Sequence, residues 1–300
     1  MIDHRAFAAL AFTVLVWGIS PVFIRTLSVE LGAAHSLVLR YVIAATIFIV
    51  FLSSTVGWRI ARADWPRLLI VSMLGMFGYN IGSVYGFELV QAGVGSLLIS
   101  TQPLLIAILA AIFLRERLST AIVAGLAIAL AGSVLLLSGH LASDAGATQP
   151  LRGSLYIFLS GLCWSFYVVL GKPLIMQYGA FKISGLSIII ATVPMLFLAS
   201  VDTWAMVPTL TAKQWSELLY MAAVSSFVTT LTWNFAVGRL PARLFGSCLY
   251  LMPLITVVAG ALILGETITL ATILGGALIL AGVAVAQAAP LWRRVLLWRS

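Results

Sequence analysis

Two stretches of this chain decide its fold, because each is close to a copy of the other. Residues 99–116 read ISTQPLLIAILAAIFLRE, and residues 249–266 read LYLMPLITVVAGALILGE. The second stretch begins half a chain length after the first, and this offset superposes Pro103 on Pro253 and the final Glu of one on the final Glu of the other. The match continues downstream, with eleven of thirty aligned positions identical. We therefore expect two copies of one unit.

Composition places these copies in a lipid bilayer. Charged residues are 9% and apolar residues 62% of the chain, with a mean hydropathy of +1.13, whereas a soluble domain carries about a quarter charged residues. The formal net charge of +8 comes from few acids and from Lys and Arg between apolar runs. Without a basic patch interleaved with aromatics, nucleic acid is not an expected partner. The His and Cys residues lack metal-ligand spacing, so neither a metal nor a cofactor is expected.

Ten apolar runs are long enough to cross a bilayer, which takes about 20 helical residues. They are predicted at 6–27, 34–55, 66–88, 93–114, 119–138, 152–173, 182–201, 214–237, 242–264 and 268–288. The predicted fold class is an all-α integral membrane protein with ten transmembrane helices. We expect a first five-helix unit at 1–140, a linker at 141–151, a second unit at 152–290 and a cytoplasmic tail at 291–300.

The distribution of Lys and Arg predicts the orientation. If the N terminus is cytoplasmic, thirteen basic residues lie on that side, and the far side receives only Arg25, Arg40, Arg152 and Lys213. Basic residues collect on the cytoplasmic side of membranes, so both termini are predicted to be cytoplasmic. Because each unit has an odd number of spans, the second is inserted upside down relative to the first. Inverted repeats of this kind are typical of secondary transporters.

Polar and aromatic side chains concentrate in spans 1, 3 and 4 and in their repeat mates 6, 8 and 9. Unpartnered polar groups are costly in hydrocarbon, so these faces should look into protein or water. A mid-span Trp needs a partner for its indole N–H, which a polar cavity would supply. The predicted substrate-binding residues are Trp17, Ser20, Tyr79, Asn80, Ser83, Ser100, Gln102, Trp164, Tyr167, Trp233, Asn234 and Tyr250. Taken singly, each has an alternative interpretation as an ordinary packing residue.

A second group of residues is predicted to shape the helices. Pro residues can kink spans, glycines repeated every four residues let a neighbouring helix approach closely, and a carboxylate is favoured beside the start of the helix that follows it. The predicted structural and hinge residues are Pro21, Gly78, Gly82, Gly86, Pro103, Glu116, Pro253 and Glu266.

Missing motifs argue against several functions. The sequence has no Walker A run, no H-E-x-x-H and no G-x-S-x-G, so no catalytic residue is assigned. All nine acids lie at span ends or in connections. A carboxylate at mid-membrane usually marks ion coupling. Because none is predicted there, the sequence does not decide between proton coupling and facilitated exchange. The oligomeric state also stays open.

The chain resembles the EamA-type branch of the drug/metabolite transporter superfamily over nearly its whole length. The resemblance rests on a Trp followed eight residues later by a basic residue in spans 1 and 6, on Arg40-Tyr41, and on a series that occurs in both units. That series is Pro103, Glu116, Gly125, Ala131 and Gly132, matched by Pro253, Glu266, Gly275, Ala281 and Gly282. One departure is Gly265 in place of Arg115, which makes Arg115 a topology residue.

The resemblance implies a multi-pass carrier of the bacterial inner membrane that exports small molecules by alternating access. Within the superfamily, the chain is most similar to the bacterial aromatic amino-acid exporters. We therefore predict export of aromatic and other large neutral amino acids, with the substrate and the lipid bilayer as the partners. Two alternatives are a drug or cationic-metabolite exporter of the same superfamily and, from a different class, a membrane enzyme or sensor.

Overall fold

The computed structural model describes residues 3–55, 57–113, 120–142, 149–237, 239–240, 248–249 and 251–297. Within these ranges all regular secondary structure is helical, as predicted. The helices are α1 (His4–Leu31), α2 (Ala33–Ser54), α3 (Trp65–Ser72), α4 (Tyr79–Leu89), α5 (Ala92–Ile99), α6 (Gln102–Phe113), α7 (Thr120–Ala142), α8 (Pro150–Tyr178), α9 (Ala180–Leu196), α10 (Val201–Ala205), α11 (Ala212–Leu219), α12 (Thr229–Val237), α13 (Leu251–Leu264) and α14 (Leu270–Leu297).

Six helical segments of the described chain are long and apolar enough to cross a membrane. They are His4–Leu31, Ala33–Ser54, Arg62–Leu89, Ala92–Phe113, Thr120–Ser138 and Pro150–Tyr178. A seventh arises if α9 and Val201–Thr209, which are bent by 115° relative to each other, count as one span. The described apolar parts of α13 and α14 are shorter. The chain is therefore a multi-span membrane protein by length and composition, and the count of ten stays a prediction.

Tight turns lie at corresponding places in the two predicted units. Gly32 separates α1 from α2 with φ +87°, and Gly179 separates α8 from α9 with φ +84°. A side chain at such a positive φ would be strained, so glycine suits both positions. The sequence thus ends the first long helix of each unit in the same way.

Two π-helical segments also correspond. Met73–Gly78 joins α3 to α4 into one continuous span, and Tyr220–Val228 joins α11 to α12. Backbone hydrogen bonds in such a segment join residues five apart in sequence, whereas those of an α-helix join residues four apart. These segments are frequent at functional sites. The first lies directly before Tyr79 and Asn80, and the second joins the helix that carries Trp233 and Asn234, all four of which the sequence assigns to substrate binding.

The main helix contacts join the first half of the chain to the second. α1 packs on α12 and α13, while α8 packs on α4 and α6. α2 packs on α9, and α7 packs on α14. These two contacts of α1 therefore have counterparts at α8, and the two halves interlock rather than stand side by side.

The contact between α7 and α14 is a glycine seam. Gly125 faces Gly282, and Gly132 faces Gly275. A Cβ added to Gly132 would lie 2.7 Å from the carbonyl oxygen of Gly275, and one added to Gly275 would lie 2.8 Å from that of Gly132. The backbones touch directly, as they do in small-residue interfaces between membrane helices. Spans 5 and 10 thus pack on each other within one chain.

Candidate functional site

Trp17 and Trp233 form the first aromatic cluster, where α1 crosses α12. Their ring centroids are 5.3 Å apart, at an interplanar angle of 39°. The indole N–H of Trp17 donates to the carbonyl oxygen of Ser225 at 3.1 Å and to Thr229 Oγ1 at 3.0 Å. The sequence predicts that a polar cavity supplies this partner. In the structure the carbonyl comes from the π-helical segment Tyr220–Val228 and the hydroxyl from Thr229, the first residue of α12.

Hydroxyls extend this cluster along α1. Ser20 Oγ lies 2.7 Å from Ser225 Oγ and donates to the carbonyl oxygen of Val16 at 2.8 Å. The Tyr220 hydroxyl donates to the same carbonyl at 2.9 Å. Asn234, also predicted to bind substrate, donates from Nδ2 to Thr230 O of its own helix at 2.7 Å. Ser20 is thus joined to the second half of the chain, whereas this contact of Asn234 stays within α12.

Tyr79, Trp164 and Tyr167 form the second aromatic cluster, where α8 crosses α4. The Tyr79 and Trp164 ring centroids are 5.2 Å apart, and those of Trp164 and Tyr167 are 5.1 Å apart with 29° between the planes. The Tyr167 hydroxyl lies 3.5 Å from Ser184 Oγ. The Tyr167 ring fits against Gly75, where no Cβ could be accommodated. This crossing is the counterpart of the α1–α12 crossing, so the aromatic clusters occupy related places.

Asn80 is bonded to a residue that the sequence analysis did not assign to the site. Arg40 Nη2 donates to Asn80 Oδ1 at 2.6 Å, while Asn80 Nδ2 donates to the carbonyl oxygen of Met76 at 2.8 Å. The Tyr41 hydroxyl donates to the same Met76 oxygen at 3.2 Å. The distribution of basic residues predicts Arg40 on the outer side, but the structure buries it inside the bundle. Its position within the predicted span 34–55 was the available signal.

The remaining predicted polar residues have separate partners. Ser83 Oγ donates to Ser160 Oγ of α8 at 3.4 Å, and Ser100 Oγ donates to the carbonyl oxygen of Leu97 at 2.6 Å. Gln102 packs against Gly161, and its buried Nε2 has no hydrogen-bond acceptor among the described residues. Tyr250 lies outside the described residues.

The glycine stripe of α4 lies against α8. A Cβ at Gly82 would lie 2.8 Å from Ser160 Cβ, one at Gly86 would lie 2.7 Å from Ile157 Cδ1, and one at Gly78 would lie 3.0 Å from Cys163 Sγ. A side chain at Gly82 or Gly86 would therefore push the two helices apart. This close approach brings Tyr79 and Trp164 into contact.

The prolines occupy different places in their helices. Pro21 lies inside α1. Pro103 is in the first turn of α6, and the break in the span comes just before it, at residues 100–101. Pro253 is near the described start of α13. Glu116 lies outside the described residues.

Glu266 holds an ion pair at the end of the bundle that the sequence assigns to the outer side. Its carboxylate lies 3.1 Å from Arg25 Nε. The same carboxylate accepts from the backbone N–H of Ala92 at 2.7 Å and of Gly93 at 3.2 Å. We expected it beside its own following helix, α14. It instead lies at the start of α5, where four unpaired N–H groups and the helix dipole favour an anion.

A cavity of about 490 Å³ opens beside this ion pair. Its lining residues are Arg25, Thr26, Val29, Glu30, Gln91, Lys213, Leu264, Gly265, Glu266 and Thr267. Lys213 Nζ lies 2.6 Å from Glu30 Oε1, forming a second, more exposed ion pair. None of the described residues predicted to bind substrate lines this cavity. No group of His, Cys, Asp and Glu in the described chain could hold a metal ion.

The fold and these contacts define a class, an all-helical membrane protein whose halves interlock around two aromatic clusters. The sequence profile described as the EamA-like transporter family matches the chain twice, at residues 5–138 and 151–287. The chain therefore belongs to the EamA-like transporter family.

Relatives of this chain carry transporter names. A probable terminal-alkyne amino-acid exporter of Streptantibioticus cattleyicolor is 29% identical over 293 residues, covering 97% of this chain and 96% of the relative. The aromatic amino acid exporter YddG of Ancylobacter novellus is 27% identical over 241 residues, covering 78% of this chain and 80% of the relative. Other relatives are named only as uncharacterized transporters. These names indicate a transporter rather than an enzyme.

The fold is also similar to that of a solved protein. A crystal structure matches with a TM-score of 0.63 and 22% identity, covering 98% of this chain and 99% of that one. At this identity the likeness concerns the fold alone.

Proposed function

We propose that this chain is a secondary carrier of the bacterial inner membrane that exports aromatic and other large neutral amino acids by alternating access. The observation that carries the proposal is the presence of an aromatic cluster at each of two corresponding helix crossings, Trp17 with Trp233 and Trp164 with Tyr79. Aromatic rings favour offset or edge contacts with another ring. Two relatives are named as a probable terminal-alkyne amino-acid exporter and an aromatic amino acid exporter, and these names support an amino acid as the substrate.

The proposed architecture has ten transmembrane helices in two inverted five-helix repeats, with both termini in the cytoplasm. The proposed units are residues 1–140 and 152–290, with a linker at 141–151 and a tail at 291–300. Three features support the duplication: the two matches to one family profile, the corresponding glycine turns and the corresponding π-helical segments. The crosswise glycine seam between α7 and α14 supports a two-fold relation between the units.

Alternating access requires a closure at each end of the bundle that can open in turn. We propose that the ion pair between Arg25 and Glu266 is part of the outer closure, since it ties α1 to the start of α5 and to the connection before α14. In this conformation the amino acid would be reached from the cytoplasmic side. Export then requires this pair to separate.

The twelve residues predicted to bind substrate remain our proposed site. The aromatic members would stack on the side chain of the amino acid, and the hydroxyl and amide members would bond its polar groups. Weak contacts of this general kind favour a broad range of substrates over tight binding.

The proposal is tested by flux in proteoliposomes loaded with labelled phenylalanine or tryptophan. We expect Trp164→Ala and Tyr79→Ala each to lower both fluxes about tenfold or more, because each removes a ring from the contact. Trp58→Ala is a matched control, since this Trp is 40% exposed, and should leave flux unchanged. If the two site variants transport like the parent protein, the site assignment is wrong. If the parent protein moves neither amino acid, the proposed function is wrong.

A further inference from the structure

Arg40 is a buried cation outside the twelve residues of the proposed site. It lies on α2 with only 9% of its surface exposed, and its guanidinium carbon is 5.3 Å from the centre of the Tyr41 ring. None of the ion pairs between described residues includes it. Its Nε–H is buried and has no hydrogen-bond acceptor in the described part of the chain. A membrane protein thus keeps a positive charge and a free donor inside its bundle.

Such a charge is costly to retain. Buried cations are normally paired with an anion, and ionisable groups within membrane segments usually mark a substrate or ion pathway. The contact with Asn80 accounts for one donor of the guanidinium. Bracing the π-helical segment does not require the charge, because the neutral Asn80 and Tyr41 side chains already donate to Met76 O.

The surroundings of Arg40 match one part of an aromatic amino acid. Its hydrogen-bond partner Asn80 directly follows Tyr79 in α4, and the Tyr79 ring contacts Trp164. A guanidinium therefore lies at the edge of the second aromatic cluster. If the aromatic side chain of a bound amino acid contacts the cluster, its amino and carboxylate groups can lie at this edge. A carboxylate is the preferred partner of a guanidinium.

We infer that Arg40 holds the carboxylate of the exported amino acid while its side chain contacts the Tyr79–Trp164 cluster. This inference deepens the proposed function and rests on it. The guanidinium also lines a small cavity of about 10 Å³ between α1, α2, α4 and the segment Tyr220–Val228, a volume that suits about one water. The carboxylate therefore enters after these elements separate. The π-helical segment among them, with fewer α-helical hydrogen bonds, is the element best suited to shift.

The test compares three compounds as competitors of labelled phenylalanine flux in proteoliposomes of the full chain. Phenylalanine carries both charged groups, N-acetylphenylalanine keeps only the carboxylate, and phenylalaninamide keeps only the ammonium. We expect the first two to compete and the amide to be at least about tenfold weaker, as for loss of one charge-assisted hydrogen bond. Equal competition by the amide in the parent protein overturns the inference, whatever any variant does.

The variant that tests the residue itself is Arg40→Gln. We expect about a tenfold or greater rise in the KM for phenylalanine and loss of the preference for the acid over the amide. Lys182→Gln is the matched control, since Lys182 is equally buried at 9% exposure but donates to Arg59 O at 2.7 Å; it should keep the preference. If Arg40→Gln does not fold, Arg40→Lys is tested instead. We expect this variant to have a raised KM for phenylalanine and to keep the preference for the acid over the amide.

Each remaining outcome has a definite meaning. An Arg40→Gln protein that folds and still prefers the acid overturns the inference. An Arg40→Lys protein with an unchanged KM also overturns it, because lysine cannot reproduce the planar donor set. If the parent protein shows no phenylalanine flux at all, the proposed function fails, and that failure is distinct from a failure of the carboxylate contact.

Discussion

Arg25 and Glu266 come from opposite halves of the chain and meet in an ion pair of 3.1 Å, with their side chains 15% and 9% exposed. Arg25 also donates through Nη1 to the carbonyl oxygens of Phe87 and Val90. Two side chains thus fasten α1, the connection between α4 and α5, and the connection before α14. In this conformation that end of the bundle is held by charge as well as by packing.

We expect Glu266→Gln to weaken the contact that holds this end of the helix bundle closed. The amide oxygen can still accept from one backbone N–H of α5, but the attraction to Arg25 is lost, and breaking a buried pair costs about 3–5 kcal/mol. Thr26 lines the same cavity and is only 6% exposed. We expect a cysteine placed at Thr26, in a background with Cys163 and Cys248 changed to Ala, to react several-fold faster with a membrane-impermeant maleimide on intact cells when Glu266→Gln is also present.

The second ion pair of the same cavity provides the control. Lys213 and Glu30 have side chains 59% and 33% exposed, and such exposed pairs contribute about 0–1 kcal/mol. Lys213→Ala should therefore leave the labelling rate at position 26 unchanged. Equal rates in the Glu266→Gln and parent proteins would show that the buried pair does not hold the outer end closed.

We expect Trp17→Phe to lower the stability of the protein with little effect on transport. The change keeps a ring next to Trp233 but removes the N–H that bonds Ser225 O and Thr229 Oγ1. A lost hydrogen bond of this kind costs about 0.5–1.5 kcal/mol, so the purified protein should have a lower Tm, while phenylalanine flux stays within about twofold.

Trp58→Phe is the control for this measurement, because the Trp58 N–H bonds Ser53 Oγ at 3.2 Å in an exposed setting. It should change neither Tm nor flux. A Trp17→Phe protein with the parent Tm and abolished flux would mean that the indole N–H serves the substrate rather than the contact with α12.

The all-helical fold could be predicted from the sequence because apolar runs are local features. It could not predict which helices cross, because that depends on tertiary packing, and the pairing of Arg25 with Glu266 depends on it. Arg40 shows the same limit: its distance from the start of α2 suggested the outer surface, but the face of the helix on which it lies buries it. The number of spans, the inversion of the repeats and the substrate contacts remain predictions.

Gly132→Leu should destabilise the protein. Its Cβ would approach Gly275 O to 2.7 Å in the α7–α14 seam, and overpacking of a close interface costs about 1–3 kcal/mol. We expect a lower Tm in detergent. Ala131→Leu adds a similar volume at the next residue, which is exposed, and should have the parent Tm. Equal Tm values for both variants would mean that close packing of α7 on α14 does not contribute to the stability of the protein.

The inverted arrangement makes a prediction about the two sides of the membrane. Lys172 and Lys213 are both exposed, and the predicted topology puts Lys172 in the cytoplasm and Lys213 outside. In the cysteine-free background, Lys213→Cys should react with an impermeant maleimide on intact cells, whereas Lys172→Cys should react only after the membrane is permeabilised. This follows because α8 begins the second unit and an odd number of spans precedes it. Labelling of both positions from the same side would contradict the predicted topology, because a single predicted span, 182–201, separates them.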